Sequence, residues 1–548
     1  MSNKEIADLL FPNVTLTLDD IEKLYPIRRL NSEAKVTRIG PSPTGFIHLG
    51  NLYNAIIAER LAHQSNGKFF LRIEDTDNKR EVQGAVKIII STLEYFGIYF
   101  DEGAVIEGDK GDYGPYRQRQ RKNIYQVFAR YLVESGLAYP CFCSETELSV
   151  IREKQMGLKQ NIGYYGEWAP CRTLNFEVIK QRINSNQSYV IRFKSDINNY
   201  TNISNIDAIR GEINLPPNTV DFILLKSDGI PTYHFAHVVD DHLMRTTHVV
   251  RGEEWLSSLP MHIQLFDVFQ WEKPVYCHTA TLMKMEGNSK RKLSKRKDPE
   301  LALAYYQEEG YIPEVMWNYL LTILNSNYEE WRMKNSESTY FDFPFTLEKM
   351  SNSGALFDLN KMNDVSKEIL SHMTAEEIFI RLLEWTDQWN NEFSIILREN
   401  KSRAIGALSI GRNIDKVRKD LVNWKQACQF MNMYFDETYK IEDEFPESVS
   451  IKDRKLFLKK YLENIKFYED KDIWFDKVKN ITEQMGYATN MKDYKSHPGS
   501  YKGSIVDLTN VLRIAITGRK NAPDIWEVSN VLGERCIFKR IKSCLILK

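Results

Sequence analysis

The stretch P-S-P-T-G-F-I-H-L-G-N, at residues 41–51, predicts how the main fold of the chain begins. Residues 35–39 precede it and predict a short strand, and residues 49–63 are typical of a helix that ends before Ser-Asn-Gly. Residues 68–73, K-F-F-L-R-I, predict a second strand. A strand, a helix and a strand in this order predict the start of a parallel, doubly wound α/β sheet.

The same turn is a candidate phosphate site. The first N–H groups of a helix lack intrahelical partners and therefore favour an anion. His48 stands just before the helix and could contact phosphate oxygens, while Gly50 lets a flat base approach the backbone. Because the chain contains neither G-x-x-x-x-G-K-[ST] nor G-x-G-x-x-G, a turn that merely caps a helix is an equally weighted alternative.

Length and composition predict a folded protein of several domains. The chain has 548 residues, of which 43% are hydrophobic and 27% charged. Its seven cysteines are sparse and odd in number, which argues against a disulfide framework and predicts a cytoplasmic location. No apolar run approaches the roughly 18 residues that a membrane span needs, so we expect no membrane partner.

We expect four segments along the chain. They are a helical extension (residues 1–35), an α/β catalytic domain (36–300) with an α+β insertion (about 113–221), a helical region (301–372) and an all-α C-terminal region (373–548). After the insertion, apolar strands are predicted to return at residues 220–225 and 234–239. Thr17 with Asp20, and Thr374 with Glu377, predict capped helix starts.

A second motif, G-N-S-K-R-K-L-S-K-R-K, lies at residues 287–297. Seven of the fourteen residues from Lys284 to Lys297 are basic, which predicts a flexible, positively charged loop. A basic loop by itself is usually a solvated surface.

Together, the two motifs resemble the signatures of class I aminoacyl-tRNA synthetases: H-L-G-N at residues 48–51 and K-L-S-K-R at 292–296. Further blocks resemble bacterial-type glutamyl-tRNA synthetases over about residues 36–548. They are R-I-E-D-T-D (72–77), G-P-Y-R-Q (114–118), P-T-Y-H (231–234), V-V-D-D-H-L (238–243) and R-G-E-E-W (251–255). The resemblance implies a Rossmann-like catalytic domain that attaches L-glutamate to the 3′ end of tRNA-Glu through a glutamyl-adenylate, using ATP and Mg²⁺.

The resemblance also implies a set of site residues. The catalytic residues are His48, Lys292 and Lys295. The ATP-binding residues are these three with Thr44, Gly45, Gly50, Asn51, Glu254, Trp255 and Ser294. The glutamate-binding residues are Arg38, Ser42, Glu74, Tyr233, His237 and Arg251. Arg251 is expected to pair with the side-chain carboxylate. His237 stands where relatives often have Asn, and we expect its charge to titrate near neutrality.

The insertion contains Cys141, Cys143 and Cys171, three candidate zinc ligands. Zinc takes four ligands in structural sites, and zinc-bearing relatives have C-x-H where this chain has Thr173. Tyr164, Tyr165 or Glu167 could substitute, but the missing ligand favours buried cysteines without metal over structural zinc.

Basic residues crowd the start of the insertion, at Arg117, Arg119, Arg121 and Lys122. The resemblance implies that they hold the acceptor end of tRNA, whereas a solvated helix face is the alternative from composition alone. The C-terminal helices resemble an anticodon-binding region. We expect a monomer that acts on tRNA-Glu, with tRNA-Gln left open as a second substrate.

Three other functions compete with this interpretation. A glutaminyl enzyme is disfavoured by Arg251, whose charge suits a carboxylate better than an amide, and by the helical C-terminal region. A paralogue that modifies a tRNA base would lack the residues after Met373. A non-catalytic tRNA-binding protein would be expected to lose His48, Lys292 or Lys295, and all three are present.

Overall fold

The computed structural model describes residues 3–77, 81–195, 203–294, 296–412, 417–466 and 468–546. The chain divides into two compact units. One comprises Met1–Tyr305 with Met316–Asp358, and the other comprises Tyr306–Val315 with Leu359–Lys548. Throughout the described ranges, the helices are too short or too polar to span a membrane.

All the described strands belong to the first unit. In chain order they are β1 Val36–Ile39, β2 Lys68–Leu71, β3 Glu102–Ala104, β4 Asp109–Lys110, β5 Ala138–Cys141, β6 Val190–Phe193, β7 Ile203–Asp207, β8 Gly211–Leu215, β9 Ile223–Leu225, β10 His248–Gly252, β11 Val275–Thr279, β12 Leu282–Glu286, β13 Ser289–Lys292 and β14 Ala355–Leu356.

Helices occur in both units. The first part of the chain contains α1 Asn3–Leu10, α2 Leu18–Leu24, α3 Leu49–Gln64, α4 Ala85–Tyr95, α5 Lys122–Glu134, α6 Glu145–Gly157, α7 Phe176–Asn184, α8 Tyr233–Leu243, α9 Leu259–Val268, α10 Leu303–Glu309, α11 Pro313–Leu324 and α12 Tyr328–Lys334. The later part contains α13 Leu359–Ser371, α14 Ala375–Trp389, α15 Asn391–Glu399, α16 Lys401–Ser409, α17 Trp424–Met431, α18 Ile451–Asn464, α19 Lys471–Gln484, α20 Met491–Ser496, α21 Ile505–Thr517, α22 Ile525–Leu532 and α23 Glu534–Ile546.

A parallel sheet forms the core of the first unit. Strand β1 pairs in parallel with β2, and β2 with β3, while α3 connects β1 to β2. On the other side of β1, the Thr247 N–H donates to the Val36 carbonyl across 2.9 Å, which places the parallel pair β10–β11 beside it. Strand β1 is buried along its whole length, as expected of a central parallel strand covered on both faces. The predicted Rossmann-like fold is confirmed.

The N-terminal extension is attached to the first unit by polar contacts. The predicted capping box is present, since the Asp20 N–H donates to Thr17 Oγ1 across 3.2 Å and the Thr17 N–H to Asp20 Oδ2 across 3.0 Å. Beyond α2, the Tyr25 hydroxyl donates to the Gly114 carbonyl across 2.8 Å, and Arg28 makes a bidentate pair with Glu102 at 2.7 and 3.0 Å. The extension therefore packs as part of this unit.

Of the two strands predicted after the insertion, one is wrong and the other is confirmed over a shorter range. Residues 234–239 lie within helix α8, not in a strand. Seven consecutive residues, from Phe235 to Asp241, are buried in that helix. Because residues on every side of the helix are buried, the sequence shows no hydrophobic periodicity that would distinguish a helix from a strand. The strand expected at residues 220–225 is shorter, Ile223–Leu225, and it pairs with β6 in the antiparallel sheet β5-β6-β9 instead of joining the main sheet.

The second unit is built from helices in its described part. Helix α14 starts with the predicted box, in which the Thr374 N–H donates to Glu377 Oε2 across 2.8 Å. Helix α21 ends at Gly518, whose φ of +79° is the left-handed conformation that favours glycine. A Cβ at that position would lie 1.9 Å from the Lys440 carbonyl oxygen, so the close approach of this loop also requires glycine.

Candidate functional site

The motif at residues 41–51 forms the turn from β1 into α3. Gly45 has a φ of +73°, and a Cβ there would lie 3.3 Å from the Val82 side chain. The Thr44 N–H donates to the carbonyl of the exposed Ser42 across 2.8 Å, which tightens the turn. His48 precedes α3, and its N–H donates to Asn51 Oδ1 across 3.0 Å. The turn therefore directs the start of α3 towards the carboxyl ends of the parallel strands.

A cavity of about 250 Å³ opens at this edge of the sheet. It brings together His48 and Gly50 of the first motif, Glu254 of the R-G-E-E-W block and Lys292 of the second motif. Its complete lining is His48, Gly50, Tyr53, Asn54, Gly252, Glu254, Thr279, Ala280, Thr281, Leu282, Lys292, Leu293 and Leu301. Ligands of open α/β sheets bind at this kind of edge.

The lining differs from the predicted ATP set. Thr44, Gly45, Asn51, Trp255 and Ser294 do not line the cavity, although all lie in neighbouring segments. Conversely, the sequence did not reveal the run from Thr279 to Leu282, which begins at the last residue of β11. The position of this run at the carboxyl end of a parallel strand is the signal that could have revealed it. The Thr279 hydroxyl donates to Asn54 Oδ1 across 2.9 Å, and this hydrogen bond connects the run to α3.

Two glycines in the cavity wall make room for neighbouring side chains. A Cβ on Gly50 would lie 3.0 Å from His48 Nδ1, so this glycine accommodates the imidazole ring. A Cβ on Gly252 would lie 2.2 Å from a carboxylate oxygen of Glu254. Both glycines therefore determine where a candidate functional side chain can lie.

The described part of the basic motif is more ordered than the flexible loop we expected. Strands β12 and β13 pair as an antiparallel hairpin in which Met283 lies opposite Lys292. Arg291 makes a bidentate pair with the buried Asp298 at 2.6 and 2.8 Å, and the Ser294 N–H donates to the same carboxylate across 2.9 Å. The hydrogen bonds from Arg291 hold the pKa of Asp298 below its usual range. This carboxylate anchors the segment on both sides of Lys292.

Lys292 itself is exposed and faces the cavity. Its ammonium forms no ion pair with a carboxylate of the described residues, whereas Lys284 pairs with Glu300 and Lys297 with Glu286. Lys292 is therefore available to an anionic ligand. Lys295, the other predicted catalytic lysine, lies outside the described residues.

A buried charge network lies beneath the turn, centred on Asp241 of α8. Its carboxylate accepts from Arg38 at 3.2 and 3.1 Å and from Arg72 at 2.7 Å, and Arg72 also donates to Glu74 at 3.0 Å. Burial would raise the pKa of Asp241, but Arg38 and Arg72 outweigh it and hold that pKa well below the usual range. Burial raises the pKa of Glu74, against the opposing charges of Arg72 and Arg38. Arg38 is thus largely engaged within the protein.

Arg251 is the penultimate residue of β10 and is 4% exposed. Its Nε donates to His278 Nε2 across 3.0 Å, its Nη1 lies 3.2 Å from His262 Nδ1, and its guanidinium lies 4.7 Å from the centre of the Tyr276 ring. Its Nη2 is buried and has no hydrogen-bond partner within the described part of the chain. A buried donor without a partner in the described chain can donate to an acceptor atom of a ligand.

Tyr233 and His237 lie against His262, which contacts Arg251. Tyr233 stacks on His237 with ring centres 5.7 Å apart and packs on Trp255 at 4.1 Å. His237 Nδ1 lies 2.7 Å from Asp241 and its Nε2 lies 3.1 Å from the Tyr276 hydroxyl. Burial lowers the pKa of His237 to about 3, so the expectation that it titrates near neutrality is wrong.

The basic cluster at the start of the insertion is not a free surface. Arg121 is fully buried and donates to Asp240 across 2.6 Å. Arg117 pairs with Asp109 at 2.8 Å, Arg119 with Glu81 at 3.0 Å, and Lys122 donates to the Asp228 carbonyl across 2.6 Å. A run of basic residues in sequence does not reveal such partners, which come from distant segments.

The three cysteines of the insertion converge. The Sγ atoms of Cys141, Cys143 and Cys171 lie within 4.8 Å of one another. The Tyr164 hydroxyl lies 3.3 Å from Cys143 Sγ and accepts from the Cys171 N–H across 3.2 Å. Three thiols and one phenol oxygen therefore meet where tetrahedral zinc requires four donors. Of the substitutes considered from sequence, Tyr164 is the one that reaches the cluster.

Comparisons with known proteins agree with this geometry. Residues 35–364 match the family model described as tRNA synthetases class I (E and Q), catalytic domain. The chain is 54% identical to the glutamate–tRNA ligase of Acetivibrio thermocellus and 45% identical to that of Clostridium perfringens strain SM101, with 100% of each chain covered in both comparisons.

Solved structures agree as well. The crystal structure of a glutamate tRNA ligase from Elizabethkingia meningosepticum, in complex with its amino acid, superimposes with a TM-score of 0.75 at 28% identity, covering 94% of this chain and 99% of that one. A match over 94% of this chain includes helices of the second unit as well as the sheet. The chain therefore belongs to the glutamate–tRNA ligases, a family of class I aminoacyl-tRNA synthetases.

Proposed function

We propose that the chain joins L-glutamate to the 3′ end of tRNA-Glu, with ATP bound in the cavity between the two motifs. The observation that carries the proposal is the meeting of His48, Lys292 and Glu254 around one cavity, although they are far apart in sequence. The glutamate–tRNA ligases that match the full chain support it.

The first step requires no nucleophile from the protein. An oxygen of the glutamate α-carboxylate bonds to the α-phosphorus of ATP, the bond from that phosphorus to the bridging oxygen breaks, and pyrophosphate leaves in line. In the second step the terminal hydroxyl of tRNA attacks the carbonyl carbon of glutamyl-adenylate, and AMP leaves. The task of the chain is to position the reactants and to stabilise negative charge as it develops on the phosphates.

The lining residues suit that task. The start of α3 and the His48 side chain favour phosphate oxygens, and the Lys292 ammonium, which has no ion pair among the described residues, supplies a positive charge in the same lining. We assign the same role to Lys295 from the motif. Magnesium would neutralise the leaving phosphates. Among the described lining residues Glu254 alone carries a carboxylate, so phosphates and water would supply most magnesium ligands.

We assign the glutamate side-chain carboxylate to Arg251, because its buried Nη2 lacks a partner in the described chain. Glu74 would receive the ammonium group, while Ser42 and Tyr233 bound the site. Arg38 and His237 would act mainly by holding Asp241 and Tyr276.

We also propose that the insertion binds structural zinc. Cys141, Cys143 and Cys171 would be its thiolate ligands and the Tyr164 oxygen its fourth ligand, because all four donor atoms already converge. Zinc held this way would fasten the start of α6 to the loop after it and play no part in adenylate formation.

By analogy with the family, we also assign roles in tRNA binding to other segments of the chain. We propose that residues 113–221 hold the acceptor end, residues 301–372 the stem and residues 373–548 the anticodon of tRNA, in a monomeric and cytoplasmic enzyme. All seven cysteines are free thiols, which supports a reducing compartment.

One experiment tests the central proposal. ATP–pyrophosphate exchange should be measured with L-glutamate and with L-glutamine, alone and with tRNA-Glu or tRNA-Gln. We expect exchange with glutamate, and charging of tRNA-Glu. Charging of tRNA-Gln with glutamate would add a second substrate, whereas exchange with neither amino acid would contradict the function.

A further inference from the structure

The contacts of Arg251 are unusual for a buried guanidinium. A buried guanidinium is ordinarily neutralised by a carboxylate, because an isolated buried charge is costly. No carboxylate of the described residues pairs with Arg251. Its two partnered nitrogens instead meet imidazole rings, His278 Nε2 at 3.0 Å and His262 Nδ1 at 3.2 Å, and both histidines are fully buried.

The contacts determine the protonation of both rings. A guanidinium can only donate, so His278 Nε2 and His262 Nδ1 must each offer a lone pair. His278 then carries its proton on Nδ1, which lies 2.7 Å from the Asp207 carboxylate. His262 carries its proton on Nε2, which lies 3.0 Å from His234 Nδ1. Each ring is neutral, with its tautomer selected by the partner on its far side.

His262 and His278 form a clamp around Arg251, and the three residues come from separate parts of the fold. Arg251 and His278 are register neighbours on the parallel strands β10 and β11, and His262 comes from α9. Asp207, at the end of β7, is held in turn by the N–H groups of Ile209 and Arg210, both at 3.0 Å. The direction of the guanidinium is therefore defined, while its buried Nη2 has no hydrogen-bond partner among the described residues.

The electrostatic consequence concerns substrate choice. Neutral acceptors orient Arg251 but leave its positive charge uncompensated at short range. A glutamate side chain supplies both an acceptor and the missing negative charge, whereas a glutamine amide supplies only the acceptor. A protein carboxylate in place of either imidazole would neutralise Arg251. It would then remove the advantage of a charged glutamate side chain over a neutral glutamine amide.

We propose that His262 and His278 are positioning residues that determine amino-acid specificity, because they orient Arg251 without neutralising it and so reserve its charge for an anionic side chain. The proposal rests on the role of Arg251 given above. It assigns to this pair the preference for L-glutamate over L-glutamine.

The decisive comparison is His262→Gln with His262→Glu, two variants of similar size that differ in charge. KM and kcat should be measured for glutamate and glutamine in pyrophosphate exchange with tRNA-Glu present. We expect His262→Glu to raise the KM for glutamate at least about tenfold above that of His262→Gln, with a smaller change for glutamine and unchanged KM for ATP. Equal losses for both amino acids in the two variants would overturn the proposal.

A second pair keeps the test independent of how His262→Glu folds. His278→Gln retains an acceptor and should stay within about threefold of the wild-type KM for glutamate, whereas His278→Leu should raise it at least about tenfold. Equal KM values in these two variants would overturn the role of His278. Arg251→Gln distinguishes a failure of the role assigned to Arg251 from a failure of the role assigned to the histidines. If this variant leaves the KM for glutamate unchanged, the role of Arg251 itself is wrong. If it raises that KM while the histidine pairs show no contrast, only the clamp is wrong.

Discussion

The guanidinium of Arg121 donates to the carboxylate of Asp240 across 2.6 Å, and both side chains are fully buried. Asp240 also accepts from Gln118 and from the Tyr125 hydroxyl, and Arg121 Nη1 donates to the Tyr25 hydroxyl across 3.2 Å. This pair joins the N-terminal extension, the start of the insertion and α8. Its sequence neighbour Asp241 holds Arg38 and Arg72, and Arg72 Nε also lies 3.9 Å from Asp240, so the two adjacent carboxylates of α8 share one partner.

Replacing Arg121 should destabilise the fold strongly. Arg121→Met leaves the Asp240 charge buried without its main partner, which costs about 3–5 kcal/mol in comparable cases. The free energy of unfolding from urea titration measures this loss. Lys122→Met, at the next residue, removes only a hydrogen bond to the Asp228 carbonyl near the surface and serves as the control. Similar losses in both variants would contradict the core role of Arg121.

Removing the Lys292 ammonium should slow adenylate formation without unfolding the protein. Lys292→Ala is expected to cost about 3 kcal/mol of transition-state stabilisation, by the precedent of other lost electrostatic donors. Steady-state pyrophosphate exchange measures it. Lys290→Ala, two residues earlier on the same strand, is the control because Lys290 does not line the cavity. Near wild-type exchange in Lys292→Ala would contradict its assignment.

Because of His63, the folded state should lose stability as the pH rises into the alkaline range. Hydrogen bonds to Asp101 and to Glu59 raise the pKa of His63 from 6.5 to about 9. The folded chain therefore binds this proton more tightly than the unfolded chain, so the contribution is fully present below pH 6.5 and is lost as pH rises through about 9. The difference in Tm between wild type and His63→Gln should be larger at about pH 6 than at about pH 9.5. A difference that is constant or that grows with pH would contradict the assignment.

Zinc should copurify with the chain. Elemental analysis is expected to find about one zinc per chain, and Cys171→Ser should lower that content and the Tm together. Cys428→Ser alters a buried thiol of the second unit and should leave zinc content unchanged. Absence of zinc from freshly purified wild type, with all thiols reduced, would contradict the proposal.

Local sequence patterns correctly predicted the structural features that depend on residues close together in the chain. The capping boxes at Thr17 and Thr374 formed as expected, because their hydrogen bonds join residues a few positions apart. The strand before residue 41 and the helix after residue 48 formed for the same reason. Helix α8 was missed because burial around its whole circumference removes the periodic pattern.

The sequence by itself determined the family, since two motifs and five blocks in order identify a glutamate–tRNA ligase without coordinates. Only the tertiary structure decided that Arg121 is a core residue, that Tyr164 meets the three cysteines and that Arg251 is held by neutral histidines. The physical reason is distance along the chain. Partners such as Asp207, His262 and His278 reach Arg251 from separate elements, and only packing determines which acceptors meet a buried charge.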